Sequence, residues 1–153
     1  MTTLVHGTAV VIGTAGIILV GPSGSGKSAM AVRLMSGARR AGQFSALLSD
    51  DQVFVEAVNG QIVATGPEAI KGLIELRGSG IGRLSTIEHA VLHFALQPLV
   101  PDSATRIPQE NQSWPVTDGL SLPLHFIDKA VSDPFGWLAA LIPAFPVAGS
   151  FQL

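Results

Sequence analysis

The chain has 153 residues, of which 47% are hydrophobic and 13% charged, with a formal net charge of −2 and no cysteine. That length suits one domain with a real core, while the missing cysteine excludes a disulfide framework, a zinc–thiolate site and a cysteine nucleophile. The scattered basic residues give no footprint for nucleic acid, and the thin surface charge points to self-association.

In chain order, Thr3 to Ile12 is rich in β-branched residues and predicts one strand. A turn over Gly13 to Gly16 follows, and then Ile17 to Val20 as a buried strand. The apolar stretch from Ala9 to Val20 is too short and too interrupted by glycine for a membrane span, and no basic leader precedes it, so the chain reads as soluble and cytoplasmic. Gly21, Pro22, Ser23, Gly24, Ser25, Gly26, Lys27 and Ser28 match the phosphate-loop pattern G-x-x-x-x-G-K-[ST]. The strand before it and the helical spacing after it are the context the motif requires. The glycines let backbone N–H groups curl round a phosphate, the helix offers its positive end, Lys27 adds a cation, and the Ser28 hydroxyl can ligate magnesium.

The helix is predicted from about Lys27 to Arg40, with Met30, Ala31, Leu34 and Met35 inward and Arg39-Arg40 complementing its C-terminal end. Phe44 to Leu48 reads as a short strand ending in Asp50-Asp51, a pair placed as a Walker B carboxylate would be. Adjacent carboxylates on a strand point to opposite faces unless the strand has ended, so one of the two is expected to face the phosphates squarely. The plainer reading is a strand-end turn capped by Asp50. Asn59-Gly60 marks a hairpin between Val53–Val58 and Gln61–Ala64, and Pro67 opens a predicted helix reaching Leu73.

Glu75 and Arg77 share one side of an extended segment before a second glycine loop, Gly78 to Gly82. They read equally as a metal ligand with a phosphate contact or as a surface ion pair. Ala90 to Leu96 and Leu122 to Ile127 are further strands, and Phe135 to Ile142 a short helix. Trp137, Leu141, Phe145 and Phe151 serve packing or oligomer contacts rather than a ligand pocket. His6, a lone histidine in an apolar strand, is on spacing alone an ordinary core or edge residue.

The fold class is therefore α/β: one P-loop domain over residues 1–153, a mixed sheet with flanking helices, its core spanning about 3–100 and its tail 101–153. His6-Gly7, the phosphate loop, Asp50-Asp51 and Ile74-Glu75-Leu76-Arg77-Gly78-Ser79-Gly80-Ile81 together resemble the catalytic domain of the HPr kinase/phosphorylase family, in register over residues 6 to 84. A weaker match continues through Thr105-Arg106-Ile107-Pro108. The resemblance implies a kinase that uses ATP and magnesium to phosphorylate a serine of HPr, the carrier protein of the phosphotransferase system. It implies that His6 assists at the site, Lys27 binds phosphate, Ser28 and Glu75 hold magnesium, and Asp50-Asp51 contains the general base, Asp51 being favoured. Arg106 stands for the family's downstream arginine, and the expected assembly is a homo-oligomer of up to six copies.

The chain departs from the family pattern at Ala29 and Ser79. It begins at the catalytic domain, which implies a short form, and it has no counterpart of the arginine- and proline-rich loop used for phosphorolysis, so phosphorylase activity is not expected. The competing readings are a small-molecule kinase and a nucleotide-binding regulatory module with little turnover.

Overall fold

The computed structural model describes residues 2–101, 112–117, 119–143 and 145–147. The first apolar run is two strands rather than one. It breaks at Gly7 into β1 (Thr3–His6) and β2 (Thr8–Ile12), which enter different sheets. A Cβ at position 7 would lie 2.9 Å from the Leu19 carbonyl oxygen, so only glycine lets the chain cross there. The β2 strand turns at Gly13-Thr14 into the antiparallel β3 (Ala15–Leu19).

The same break recurs in the later run. It divides at His93 into β9 (His89–Leu92) and β10 (Phe94–Leu99), again in different sheets. Gly16 fastens this second crossing: its N–H donates to His93 Nδ1 at 2.9 Å and its carbonyl accepts from His93 N–H at 2.7 Å. A side chain on Gly16 would overlap the Val91 carbonyl oxygen.

The larger sheet adds β4 (Ser45–Ser49), β11 (Ser113–Thr117) and β12 (Leu120–Asp128), in the order β11-β12-β10-β3-β2-β4. Strands β3, β10 and β12 are parallel neighbours, whereas β4 is antiparallel to β2 and so runs in the direction of β3. The carboxyl ends of β3, β4, β10 and β12 thus share one edge, where ligands collect in open α/β sheets. The smaller antiparallel sheet, β1-β5-β6-β9, contains β5 (Gln52–Val58) and β6 (Gln61–Thr65), joined at Asn59-Gly60 as expected.

The helix α1 spans Lys27–Arg40 and buries Met30, Ala31, Leu34 and Met35, together with Ala38, against Ile17, Leu19, Leu47 and Phe94. The opposite sheet face places Ile18, Val20 and Ala95 against Val53, Val55, Ile62 and Ala64 of the smaller sheet. Alternation along β3 therefore feeds two cores, and each fully buried aliphatic side chain contributes about 1.5–3 kcal/mol. The second helix, α2 (Pro134–Leu141), is capped by Asp133, whose side chain accepts from Gly136 N–H, and it packs beside α1 with Leu138 buried.

The expected helix from Pro67 to Leu73 is only a 3₁₀ turn, Glu68–Ile70, ended by extended Lys71 and by Gly72 at φ 77°. The second glycine loop is the turn of a two-stranded hairpin, β7 (Leu73–Leu76) and β8 (Gly80–Arg83). Phe145 lies in the core, edge-on to Phe94, while Trp137 and Leu141 face outward; Phe151 lies outside the described residues.

Candidate phosphate and carboxylate site

Leaving β3, the chain enters the phosphate loop with Gly21, Gly24 and Gly26 at φ 132°, 81° and 92°, backbone that other residues rarely adopt. Gly26 stands at the N-cap of α1 with no side-chain cap, and the first turn carries no acidic residue. The positive end of the helix is therefore left for an external anion to answer. Lys27 folds back over the loop, its Nζ donating to the carbonyls of Gly21 at 2.9 Å and Pro22 at 3.1 Å. Ser25 Oγ is buried with no hydrogen-bond partner among the described residues. A polar atom in that state fits a bound oxyanion at the loop.

At the end of β4, the Asp50 carboxylate ties three segments together. Its Oδ1 accepts from Ser28 Oγ at 2.7 Å and from Thr8 Oγ1 at 2.8 Å, and its Oδ2 accepts from Glu75 N–H at 3.1 Å. Only 8% of Asp50 is exposed, so these three donors supply what water would otherwise give. Asp51 is exposed and sits at φ 70°, which turns it away from its neighbour. The strand ends at Ser49, so its alternation does not extend to the pair; the carboxylate that meets the loop is Asp50, through Ser28.

His6 ends β1 opposite Gln52, exposed and beside the Asp50-Asp51 turn, where Gly7 N–H donates to the Asp51 carbonyl at 3.2 Å. Glu75 meets Asp50 through its backbone, with its side chain exposed. The Arg77 guanidinium stands over the loop: a Cβ at Gly24 would lie 3.2 Å from Arg77 Nη1. The surface pairing of Glu75 with Arg77 is not formed, since the ion pair among the described residues is Lys71–Glu88 at 2.8 Å. Arg106 lies outside the described residues.

Hydroxyl and carboxylate oxygens are hard ligands suited to magnesium. Among the described residues no three His, Asp or Glu side chains gather as a metal cluster. An ion here would draw on Ser28, on one or two carboxylates and on phosphate oxygens, which fits magnesium better than a metal held by a protein cage. Sequence reading missed Thr8, whose role as a donor to Asp50 has no local signal in a β-branched strand. It also missed Lys129, just past β12, whose Cε would lie 3.9 Å from a Cβ on Gly26.

The sequence profile of the HPr Serine kinase C-terminal domain matches residues 1–92. The chain belongs to that family. The matched span holds His6, the whole phosphate loop, Asp50-Asp51, Glu75 and Arg77, whereas Arg106 and Lys129 fall beyond it.

Among curated HPr kinase/phosphorylases, that of Clostridium beijerinckii is 30% identical over 112 residues, covering 73% of this chain and 33% of its own length. That of Limosilactobacillus reuteri is 40% identical over 83 residues, covering 54% and 24%. The chain thus spans about a third or less of the curated relatives it matches. A solved structure titled as the Hpr(Ser) kinase/phosphatase from Coxiella burnetii superposes with a TM-score of 0.72 at 18% identity, over 92% of this chain and 93% of the other. This HPr kinase family member has the same α/β fold.

Proposed function

We propose that this HPr kinase domain is an ATP-dependent protein-serine kinase acting on an HPr-type phosphocarrier protein. The observation that carries the proposal is the 2.7 Å hydrogen bond from Ser28 to Asp50, which puts a buried carboxylate at the hydroxyl closing the phosphate loop. Phosphoryl transfer needs a phosphate cradle, a metal site, a base and cations near the transferring group, and the neighbourhood supplies a candidate for each.

In this reading the loop backbone and Lys27 bind the outer phosphates of ATP, and Lys27 gives up its two carbonyl partners to do so. Ser28 and Glu75, with Asp50 behind Ser28, would hold magnesium, which would supply neutralisation of phosphate charge. Asp51, exposed beside the site, takes the proton of the acceptor serine hydroxyl. The serine oxygen bonds to the γ-phosphorus as the bond to the bridging oxygen breaks and ADP leaves. Arg77 stabilises charge on the transferring group, His6 orients the acceptor or the base, and Arg106 adds a cation. Positioning and charge neutralisation provide most of the acceleration. The absent arginine- and proline-rich loop supports a reaction running toward phosphorylation rather than phosphorolysis.

No helix among the described residues is long and apolar enough to cross a membrane, which agrees with a cytoplasmic enzyme. Trp137 and Leu141, 50% and 61% exposed and one turn apart on α2, support a homo-oligomer, with a hexamer as its upper form. The test is incubation with labelled ATP, magnesium and purified HPr. Label on a serine of HPr supports the proposal, label on a metabolite supports a small-molecule kinase, and tight ATP binding without transfer supports a regulatory module.

A further inference from the structure

We infer that Lys129 is a second phosphate-directed cation of the loop, supplied by the far end of the chain and independent of the P-loop lysine. The inference deepens the nucleotide-binding part of the reading above and rests on it. Lys129 follows β12, whose carboxyl end lies on the same sheet edge as that of β3. Its side chain runs to the start of α1, with Cε 3.9 Å from where a Cβ of Gly26 would stand.

The backbone is held there on several sides. Lys129 N–H donates to the Leu99 carbonyl at 2.8 Å, Arg33 Nη2 donates to the Lys129 carbonyl at 3.0 Å, and Arg33 Nη1 donates to the Val131 carbonyl at 2.7 Å. The neighbouring Asp128 carboxylate is engaged by Ala130 N–H at 2.9 Å. Arg33 therefore acts as a positioning residue, tying the Lys129 turn to the helix that carries the loop.

The placement is electrostatically unfavourable without an anion. A cation beside a helix N-terminus is repelled by the macrodipole. Here α1 offers no acidic residue in its first turn, and Lys129 has no ion-pair or side-chain hydrogen-bond partner among the described residues. Lys27 and Arg77 crowd the same loop. The buried, unpartnered Ser25 Oγ lies in that loop as well. One bound polyphosphate resolves all of these at once: it accepts from the hydroxyl, answers the helix end and compensates the gathered cations. Arg77 reaches the loop at Gly24 and Lys129 at Gly26, so the two would grip the phosphate chain at different points.

Titration calorimetry on the full chain with magnesium-ATP and with inorganic tripolyphosphate tests this, comparing wild type, Lys129→Ala and Lys129→Arg. The expected result is a loss of affinity of about tenfold or more for both ligands in Lys129→Ala, shrinking at high salt, with recovery in Lys129→Arg and an unchanged melting temperature. Binding by Lys129→Ala within about twofold of wild type would overturn the inference, and so would equal loss in both variants, which would assign the effect to local structure. Because no carrier protein is present, the two readings fail separately. A wild type that binds ATP yet transfers nothing to HPr removes the kinase reading and leaves Lys129 in place. A wild type that binds neither ligand removes both.

Discussion

Ser28 Oγ donates to Asp50 Oδ1 across 2.7 Å, joining the first turn of α1 to the end of β4. The same oxygen accepts from Thr8, and the other carboxylate oxygen accepts from Glu75 N–H. Asp50→Ala leaves these donors unpaired in a buried place and should cost about 2–4 kcal/mol of stability, measured by urea unfolding. Asp50→Asn keeps an acceptor oxygen and removes the charge. It should fold, and should lose phosphoryl transfer by about a hundredfold or more in a turnover assay.

Asp51 gives a different outcome because its backbone, not its burial, is special. At φ 70° the position suits Asp, Asn or Gly. Asp51→Asn should therefore leave stability within about 0.5 kcal/mol of wild type while lowering the transfer rate by about 10²–10⁴, the usual contribution of a general base. Single-turnover kinetics would separate that loss from any change in ATP affinity.

The crossing at Gly16 should be the least forgiving glycine in the fold. A side chain there meets the Val91 backbone, so Gly16→Ala should destabilise by more than about 4 kcal/mol or prevent folding. Gly42→Ala is the control: φ is 74° but nothing lies within 4 Å, so only about 1–2 kcal/mol of backbone strain is expected. Thermal melts of the two variants would show the difference.

Acid should destabilise the domain through two histidines. Burial lowers the pKa of both His93 and His125 below the usual 6.5. Protonating His93 at Nδ1 would also abolish its acceptance from Gly16 N–H, and His125 lies edge-on to buried Phe94, with ring centroids 5.4 Å apart. Below 6.5 the unfolded chain takes up protons that the folded one refuses. The stability is thus fully present above that value and is lost as pH falls toward the lowered folded pKa values. Melting temperature should drop between pH 7.5 and 5.5, and His125→Phe should flatten the drop.

The helix from Lys27 to Arg40 was legible because the loop fixes where it begins and because Met30, Ala31, Leu34 and Met35 recur at helical spacing. The breaks at Gly7 and His93 were not, since the apolar run continues through each and only the choice of sheet divides it. Strand β11 was hidden by Pro115, which is tolerated there because the strand lies at the sheet edge. Within the site, residue types and spacing exposed the phosphate loop and the aspartate pair. Which aspartate meets Ser28 depended on the turn that follows β4, where Asp51 takes a positive φ, and the approach of Thr8 and Lys129 depended on which strand ends share an edge. None of these is written in local sequence.

The central claim is that this phosphate loop transfers a phosphoryl group to a serine of a carrier protein. Mass spectrometry of HPr after incubation with magnesium-ATP tests it most directly, comparing wild type with Lys27→Ala. A single phosphoserine that requires magnesium and disappears in Lys27→Ala is the predicted result. Unmodified HPr with the wild-type protein, or equal phosphorylation by Lys27→Ala, would contradict it.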